Sequence, residues 1–169
     1  MKRNDLVILI IDDSEDDRFI IERTFRQNGV KDTIHCLASA ERGIAYLSGK
    51  GEYADRIKFP FPSLLLTDLK MPGPDGFMVL HYLKSNPNWK ILPTLVFSGG
   101  QDPDEIKKSY AMGASCYLQK PSGLEEMKRL LKLFYDFWRE CHFPEIDPTG
   151  KQTETRPVSK LGPRLDSLP

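Results

Sequence analysis

The sequence predicts an α/β fold in which a five-stranded parallel sheet is covered by helices on both faces. The first observation is that short apolar runs alternate with helical patterns five times along the 169-residue chain. The second is that the run from Leu64 to Leu66 is continuously apolar, as in strands that are buried on both faces. Strand–helix repeats joined by right-handed crossovers then favour the strand order 2-1-3-4-5.

The first half of the chain supplies three strands and two helices. Ser14 is a good helix cap, and Gly29 and Gly49 are typical of positions where helices end. Two prolines interrupt any regular pattern between residues 51 and 62, which indicates a loop. The predicted elements are a strand at 6–11, a helix from 14 to 29, a strand at 33–37, a helix at 39–47 and a strand at 64–67.

The second half supplies two further strands and three helices. Phe77, Leu80 and Leu83 recur at helical spacing, and Pro103 takes the favoured first position of the helix that Asp102 opens. The predicted elements are a helix at 75–85, a strand at 93–97, a helix from 102 to 113, a strand at 115–118 and a helix at 123–141. Together the ten elements predict a flavodoxin-like sheet.

Composition and charge exclude several classes of protein. The chain has 24 basic and 24 acidic side chains, so it offers no electrostatic reason to bind nucleic acid or a membrane surface. No apolar run approaches the roughly 20 residues that span a bilayer, and the amino terminus lacks a signal-peptide pattern. Cys36, Cys116 and Cys141 are too widely spaced for a disulfide or metal framework. We therefore expect a cytoplasmic protein.

Polar side chains follow four of the five predicted strands. Asp12 and Asp13 come after the first strand, Asp68 after the third, Ser98 after the fourth and Lys120 after the fifth. Because the carboxyl ends of parallel strands share one edge of the sheet, and ligands bind there, we expect these side chains to converge. Taken singly, each has an ordinary explanation as a helix start, a turn residue or a solvated surface charge.

These residue types together suit a dication and a phosphoryl group. Asp13 and Asp68, with a backbone carbonyl from the loop after Asp68, would suit Mg²⁺, and Asp12 would orient its waters. Lys120 could neutralise phosphoryl charge, and Ser98 could hydrogen-bond a phosphoryl oxygen. A carboxylate is a known nucleophile for phosphoryl transfer, which gives an aspartyl-phosphate.

Five motifs carry a resemblance to a known family. The chain resembles the receiver domain of response regulators in two-component signalling, over about residues 5–141. The motifs are Ile11-Asp12-Asp13, the run from Asp68 to Gly76, Phe97-Ser98-Gly99, Gly113-Ala114 and the run from Tyr117 to Pro121.

The resemblance implies a role for each residue of the predicted site. Asp68 would accept a phosphoryl group from a sensor histidine kinase or a histidine phosphotransfer protein. Asp12 and Asp13 would form the acidic pocket, and the carbonyl of Lys70 would join Asp13 and Asp68 as a metal ligand. Lys120 would contact the phosphoryl group. The protein would be no enzyme beyond its own phosphorylation and dephosphorylation.

The resemblance also implies a switch. Ser98 would be the switch hydroxyl and Tyr117 the switch aromatic, and the peptide bond between Lys120 and Pro121 would be cis. Their motion would change the face formed by the fourth helix, fifth strand and fifth helix. Gly99 departs from the commonest pattern, which has alanine after the switch hydroxyl, and together with Gly100 it should make this loop pliable.

The last helix and the carboxyl terminus bear on how the signal leaves the domain. One apolar stripe should pack on the sheet, and a second, formed by Leu130, Leu133 and Phe137, is free for a homodimer contact or for the chain's own tail. We place the receiver domain at 1–143 and an extended or disordered tail at 144–169. The tail and the long loop before the third strand resemble small single-domain regulators that partner phytochromes. Of the two apolar stripes on the last helix, the one that should pack on the sheet consists of Leu124, Met127, Leu131, Phe134, Trp138 and Cys141.

Three other functions compete with this one. A haloacid-dehalogenase-type phosphatase would want a second carboxylate two residues after Asp68, where this chain has Lys70. A flavin binder would need a Ser/Thr/Gly-rich phosphate loop where the acidic run from Asp12 to Asp17 stands. A phosphorylation-independent protein-interaction module of the same fold stays open as the alternative.

Overall fold

The computed structural model describes residues 6–153 and has the predicted sheet. All neighbouring strands are parallel, and their order is β2-β1-β3-β4-β5. The strands are β1 (Val7–Ile11), β2 (Thr33–Leu37), β3 (Leu64–Thr67), β4 (Thr94–Ser98) and β5 (Cys116–Gln119). The predicted flavodoxin-like α/β fold is therefore confirmed.

Between residues 6 and 153, five α-helices connect and cover the strands. They are α1 (Glu15–Gln27), α2 (Ala40–Ser48), α3 (Gly76–Ser85), α4 (Pro103–Ala111) and α5 (Leu124–Glu140), and a short 3₁₀ turn lies at Gly51–Tyr53. The hydroxyl of Ser14 and the carboxylate of Asp75 accept backbone N–H groups of the first turns of α1 and α3. Gly49 ends α2 in the left-handed conformation that glycine adopts without strain. Within the described residues, no helix has the length and apolarity to cross a bilayer.

Alternate residues of each central strand point to opposite faces of the sheet. Ile8 and Ile10 of β1 pack with α1 and α5, whereas Leu9 and Ile11 pack with α2 and α3. All four side chains have no exposed surface. Burial on both faces explains why the strands are continuously apolar and leaves only their ends for polar groups.

Helix α5 buries a wider face than the single predicted stripe. Met127, Leu131 and Phe134 are buried as expected, but Leu124, the first residue of the helix, is 49% exposed. Tyr135 is buried as well: its ring lies 5.7 Å from that of Phe25, and its hydroxyl donates to Asp32 at 2.8 Å. The helical periodicity of the sequence does not reveal that the hydroxyl of Tyr135 has a hydrogen-bond partner on another segment. The second stripe includes two exposed residues, Leu133 and Phe137, at 59% and 62%.

The first ten residues of the predicted tail pack against the domain. The N–H of Phe61 donates to the carbonyl of Pro148, and the indole of Trp89 donates to that of Gly150, both at 2.8 Å. These contacts lie on the loops that enter β3 and β4, away from the carboxyl edge. The rings of Phe61 and Trp89 supply a surface for this part of the chain, and the extended or disordered state expected for 144–169 stays a prediction. Residues 154–169 lie outside the described residues, and the division at 143 stays a prediction.

Candidate functional site

Asp68 lies immediately after β3, at the carboxyl edge of the sheet. Its N–H donates to the carbonyl of Ile11 at 2.9 Å, which continues the pairing of β3 with β1. Its Oδ1 accepts the N–H groups of Leu69 at 2.6 Å and Lys70 at 3.1 Å. The residue is only 6% exposed. One carboxylate oxygen is therefore held by the backbone, and the other is directed towards neighbouring side chains.

Gly76 allows the loop after Asp68 to fold back onto the strand. Its N–H donates to the carbonyl of Leu69 at 3.1 Å. A Cβ at this position would overlap the carbonyl oxygen of Asp68 and lie 2.8 Å from the Cα of Leu69. Only glycine permits this approach of two backbone segments, so Gly76 helps to fix the position of the carboxylate.

Lys120 joins three carboxylates at the centre of the site. Its Nζ lies 2.6 Å from Asp12 Oδ2, 2.8 Å from Asp17 Oδ2 and 2.8 Å from Asp68 Oδ2. The N–H of Lys120 donates to the carbonyl of Ser98 at 2.9 Å, which sets the lysine against the end of β4. The structure thus brings Asp12, Asp68 and Lys120 together as the strand-end pattern predicts.

Asp17 is the site residue that the sequence reasoning missed. The strand-end pattern does not include it, because it lies in the first turn of the helix that follows β1. Side chains on a helix tilt towards its amino terminus, and Asp17 is the third residue of α1. Its carboxylate therefore points back to the strand ends, where it meets Lys120. The acidic run from Asp12 to Asp17 is visible in the sequence, but only the geometry of the first turn of α1 brings Asp17 to Lys120.

The acidic group can accommodate a hard cation. Carboxylate oxygens of Asp12, Asp13 and Asp68 lie within 4.8 Å of one another. Asp12 is buried and its Oδ1 accepts the N–H of Ser14 at 2.9 Å, whereas Asp13 is exposed. Oxygen ligands at this separation suit Mg²⁺ or Mn²⁺, which supports the predicted metal site.

Burial and charge act in opposition on the ionisable groups. Burial raises the pKa of Asp12 above its ordinary value, although its hydrogen bond to Lys120 opposes this. Burial alone would lower the pKa of Lys120, but hydrogen bonds to Asp12, Asp17 and Asp68 outweigh it and raise that pKa. The four acids, including Asp13, outnumber the single ammonium of Lys120, and this excess of negative charge favours a further cation at the site.

The predicted switch residues lie next to this cluster. Ser98 is the last residue of β4 and has no exposed surface, and its hydroxyl makes no hydrogen bond within residues 6–153. Tyr117 on β5 is half-buried, and its hydroxyl donates to the carbonyl of Gly100 at 3.0 Å. A buried hydroxyl without a partner is able to bond an oxygen that arrives at the site.

One expectation about the switch region is wrong. The bond between Lys120 and Pro121 is trans, and the described residues contain no cis peptide bond. The trans form is the lower-energy form of such bonds, and Lys120 reaches all three carboxylates from it.

The ammonium group of Lys70 lies beside helix α4. Its Nζ lies 3.5 Å from Glu105 Oε2 on α4. Its N–H contacts Asp68, which places its backbone beside the acidic group. The predicted role of its carbonyl as a metal ligand stays a prediction.

The arrangement is suited to phosphoryl transfer to a carboxylate. It combines an oriented carboxylate, an ammonium, a buried free hydroxyl and acidic groups that can hold a cation. Such a reaction needs mainly positioning and charge neutralisation, and these few groups supply both.

Comparison with known proteins agrees with this geometry. The family described as response regulator receiver domain matches residues 8–132. The response regulator Rcp1 of Synechocystis sp. is 30% identical over 134 residues, which cover 79% of this chain and 89% of that protein.

Two solved structures are similar to most of this chain. The phosphorylated cyanobacterial phytochrome response regulator RcpA is 29% identical with a TM-score of 0.79, over 84% of this chain and 100% of that one. The Mn(2+)-bound form of Rcp1 is 29% identical with a TM-score of 0.77, over 83% and 99%. The sequence match, the strand order and the strand-end residues agree, and the chain belongs to the response regulator receiver domain family of two-component signalling.

Proposed function

We propose that Asp68 accepts a phosphoryl group from a histidine kinase or a histidine phosphotransfer protein. The observation that carries this proposal is the setting of its carboxylate: Oδ1 is held by two backbone N–H groups and Oδ2 lies 2.8 Å from Lys120 Nζ. Asp12, at the end of β1, contacts the same lysine but accepts one backbone N–H rather than two, and it has no exposed surface. The similarity to a phytochrome response regulator supports a phytochrome-type kinase as the donor.

The residues divide the work of the transfer. A carboxylate oxygen of Asp68 bonds to phosphorus while the bond from phosphorus to the donor histidine nitrogen breaks, and the electron pair stays on that nitrogen. Lys120 offsets the charge of the phosphoryl oxygens, and the free hydroxyl of Ser98 donates to one of them. A Mg²⁺ held by Asp13, Asp68 and the carbonyl of Lys70 would neutralise further charge. Hydrolysis of the aspartyl-phosphate returns the resting protein.

Intact mass spectrometry tests this function. Incubation with acetyl phosphate and Mg²⁺ should add about 80 Da, the mass of one phosphoryl group, and omission of Mg²⁺ should abolish the addition. The alternative, an interaction module that works without phosphorylation, predicts an unchanged mass under both conditions.

The metal site makes a separate prediction. Asp13→Asn should weaken binding of Mn²⁺ about tenfold or more, because an exposed ligand loses its charge while the fold is left intact. Titration followed by the electron paramagnetic resonance signal of free Mn²⁺ measures the change. Asp16→Asn is the matched control. Asp16 is also exposed, and its substitution removes the same charge at a position outside the acidic group. Equal affinities of the two variants would contradict the assignment of Asp13.

We also propose that phosphorylation changes the face formed by α4, β5 and α5. Motion of Ser98 towards the phosphoryl group would draw in the loop at Gly99, and Tyr117 could then move into the space beside it. Leu133 and Phe137 of α5 are exposed although residues 144–153 are in place, so that turn does not cover them. They can serve a symmetric homodimer.

Sedimentation tests the homodimer. The wild type should form dimers more readily when beryllofluoride and Mg²⁺ are present than when they are absent. Phe137→Glu should stay monomeric under both conditions because it places a charge in an apolar contact. Phe19→Glu on α1 is the control, since Phe19 is 60% exposed and Phe137 62%. A wild type that is monomeric with and without beryllofluoride would contradict this proposal.

A further inference from the structure

Lys70 and Glu105 connect the loop after Asp68 to helix α4. The Nζ of Lys70 lies 3.5 Å from Glu105 Oε2, and the side chains are 59% and 27% exposed. Lys70 is two residues from Asp68, and Glu105 is the third residue of α4. The pair therefore joins the phosphorylation loop directly to the helix at the proposed output face.

The pair lies directly over Gly100. A Cβ at Gly100 would lie 2.6 Å from Glu105 Oε2 and 3.3 Å from Lys70 Nζ, so any larger residue would push the two side chains away. The carbonyl of Gly100 accepts the hydroxyl of Tyr117 at 3.0 Å. The same small segment thus contacts the ion pair on one side and the switch aromatic on the other.

Lys70 and Glu105 differ in the other charged groups that each can contact. Glu105 Oε2 is buried and makes no hydrogen bond within residues 6–153, and Lys70 is the cation that lies beside it. Lys70 is more than half exposed, and its backbone N–H already contacts Asp68 Oδ1. Its side chain can therefore turn to a new anion at Asp68, whereas Glu105 would be left without a cation.

We propose that the Lys70–Glu105 pair holds α4 against the loop at Gly100 in the resting protein, and that a phosphoryl group on Asp68 releases it. The trigger rests on the proposed function of Asp68. A phosphoryl group carries up to about two negative charges and competes with the single charge of Glu105 for Lys70. Release frees both α4 and the segment that holds Tyr117. Loss of this contact would act in addition to the motion of the Ser98 hydroxyl, because the contact restrains α4 in the resting protein.

The resting protein provides the first arm of the test. Amide resonances of Gly100 and α4 are recorded without any phosphate for wild type, Lys70→Met, Glu105→Gln and the double variant. Each single variant should move them along the path that beryllofluoride with Mg²⁺ produces in the wild type. The ratio of released to held states should rise about two- to fivefold, as expected for a partly exposed ion pair, and the double variant should add little.

Lys107→Met is the matched control, because Lys107 is exposed on the same helix and its loss removes the same charge. If Lys70→Met and Glu105→Gln resemble Lys107→Met, the pair does not hold α4 and the proposal is wrong.

The second arm adds beryllofluoride and Mg²⁺. Glu105→Gln, which keeps Lys70 for the phosphoryl mimic, should bind it about two- to fivefold more tightly than wild type, by linkage. Unchanged or weaker binding would overturn the release step. A wild type whose resonances at Asp68 do not respond to beryllofluoride would instead contradict the proposed function. The resting-state comparison of Lys70→Met and Glu105→Gln with Lys107→Met would still decide whether the pair restrains α4.

Discussion

Lys120→Met is expected to lower the free energy of unfolding by about 3 to 5 kcal/mol at neutral pH, the scale of a buried ion pair that loses one partner. Asp12 has no exposed surface and would be left beside Asp68 without a cation. Asp17, whose side chain is 25% exposed, regains water and loses less. Urea unfolding of wild type and variant measures the difference.

Two controls separate charge from packing in this prediction. Asp12→Asn combined with Lys120→Met should cost less than the sum of the single changes, because the carboxylate that Lys120 neutralises is gone. Strict additivity would contradict the account of Lys120 as the partner of Asp12.

The effect of pH gives the second control. Burial already raises the pKa of Asp12, and loss of Lys120 would raise it further. When a carboxyl group has a higher pKa in the folded than in the unfolded protein, the folded protein loses stability as pH rises from the unfolded-state pKa to the folded-state pKa. The deficit of Lys120→Met should therefore be complete at pH 7 and shrink towards the unfolded-state pKa, about 3.9. A deficit that is constant from pH 4 to pH 7 would indicate lost packing alone.

Gly76→Ala is expected to lower the free energy of unfolding by about 2 to 3 kcal/mol, the cost of forcing extra atoms into a packed site. The added methyl group meets backbone atoms of Asp68 and Leu69, which cannot rotate away as a side chain would. The loop that holds Asp68 Oδ1 should shift, so phosphorylation by acetyl phosphate should slow as well. Gly99→Ala is the control, because a Cβ at Gly99 meets no atom within 4 Å. Equal stability of the two variants would contradict the argument from Gly76.

The fold could be predicted from the sequence because its local signals agree with one another. Continuous apolar runs mark strands buried on both faces, and Ser14 and Asp75 cap helices where the hydrophobic pattern changes. The predicted ends of β3 agree with the structure to the residue, and those of β4 differ by one. The strand-end rule also brought Asp12, Asp68 and Lys120 to one place, because parallel strands present their carboxyl ends at a single edge.

Contacts between side chains of different elements could not be predicted in the same way. The meeting of Asp17 with Lys120 needs the tilt of side chains on α1, and that of Lys70 with Glu105 needs the path of two loops. The packing of Gly150 against Trp89 joins segments 61 residues apart. Such contacts depend on three-dimensional proximity that no periodicity encodes.

The central claim is that Asp68 alone accepts the phosphoryl group, and locating the modified residue tests it most directly. After incubation with acetyl phosphate and Mg²⁺, borohydride reduction converts an aspartyl-phosphate to homoserine, which tandem mass spectrometry of peptides assigns to a position. We predict homoserine at position 68 only, none without Mg²⁺ and none in Asp68→Asn. Homoserine at position 12, 13 or 17, or undiminished phosphorylation of Asp68→Asn, would contradict the claim.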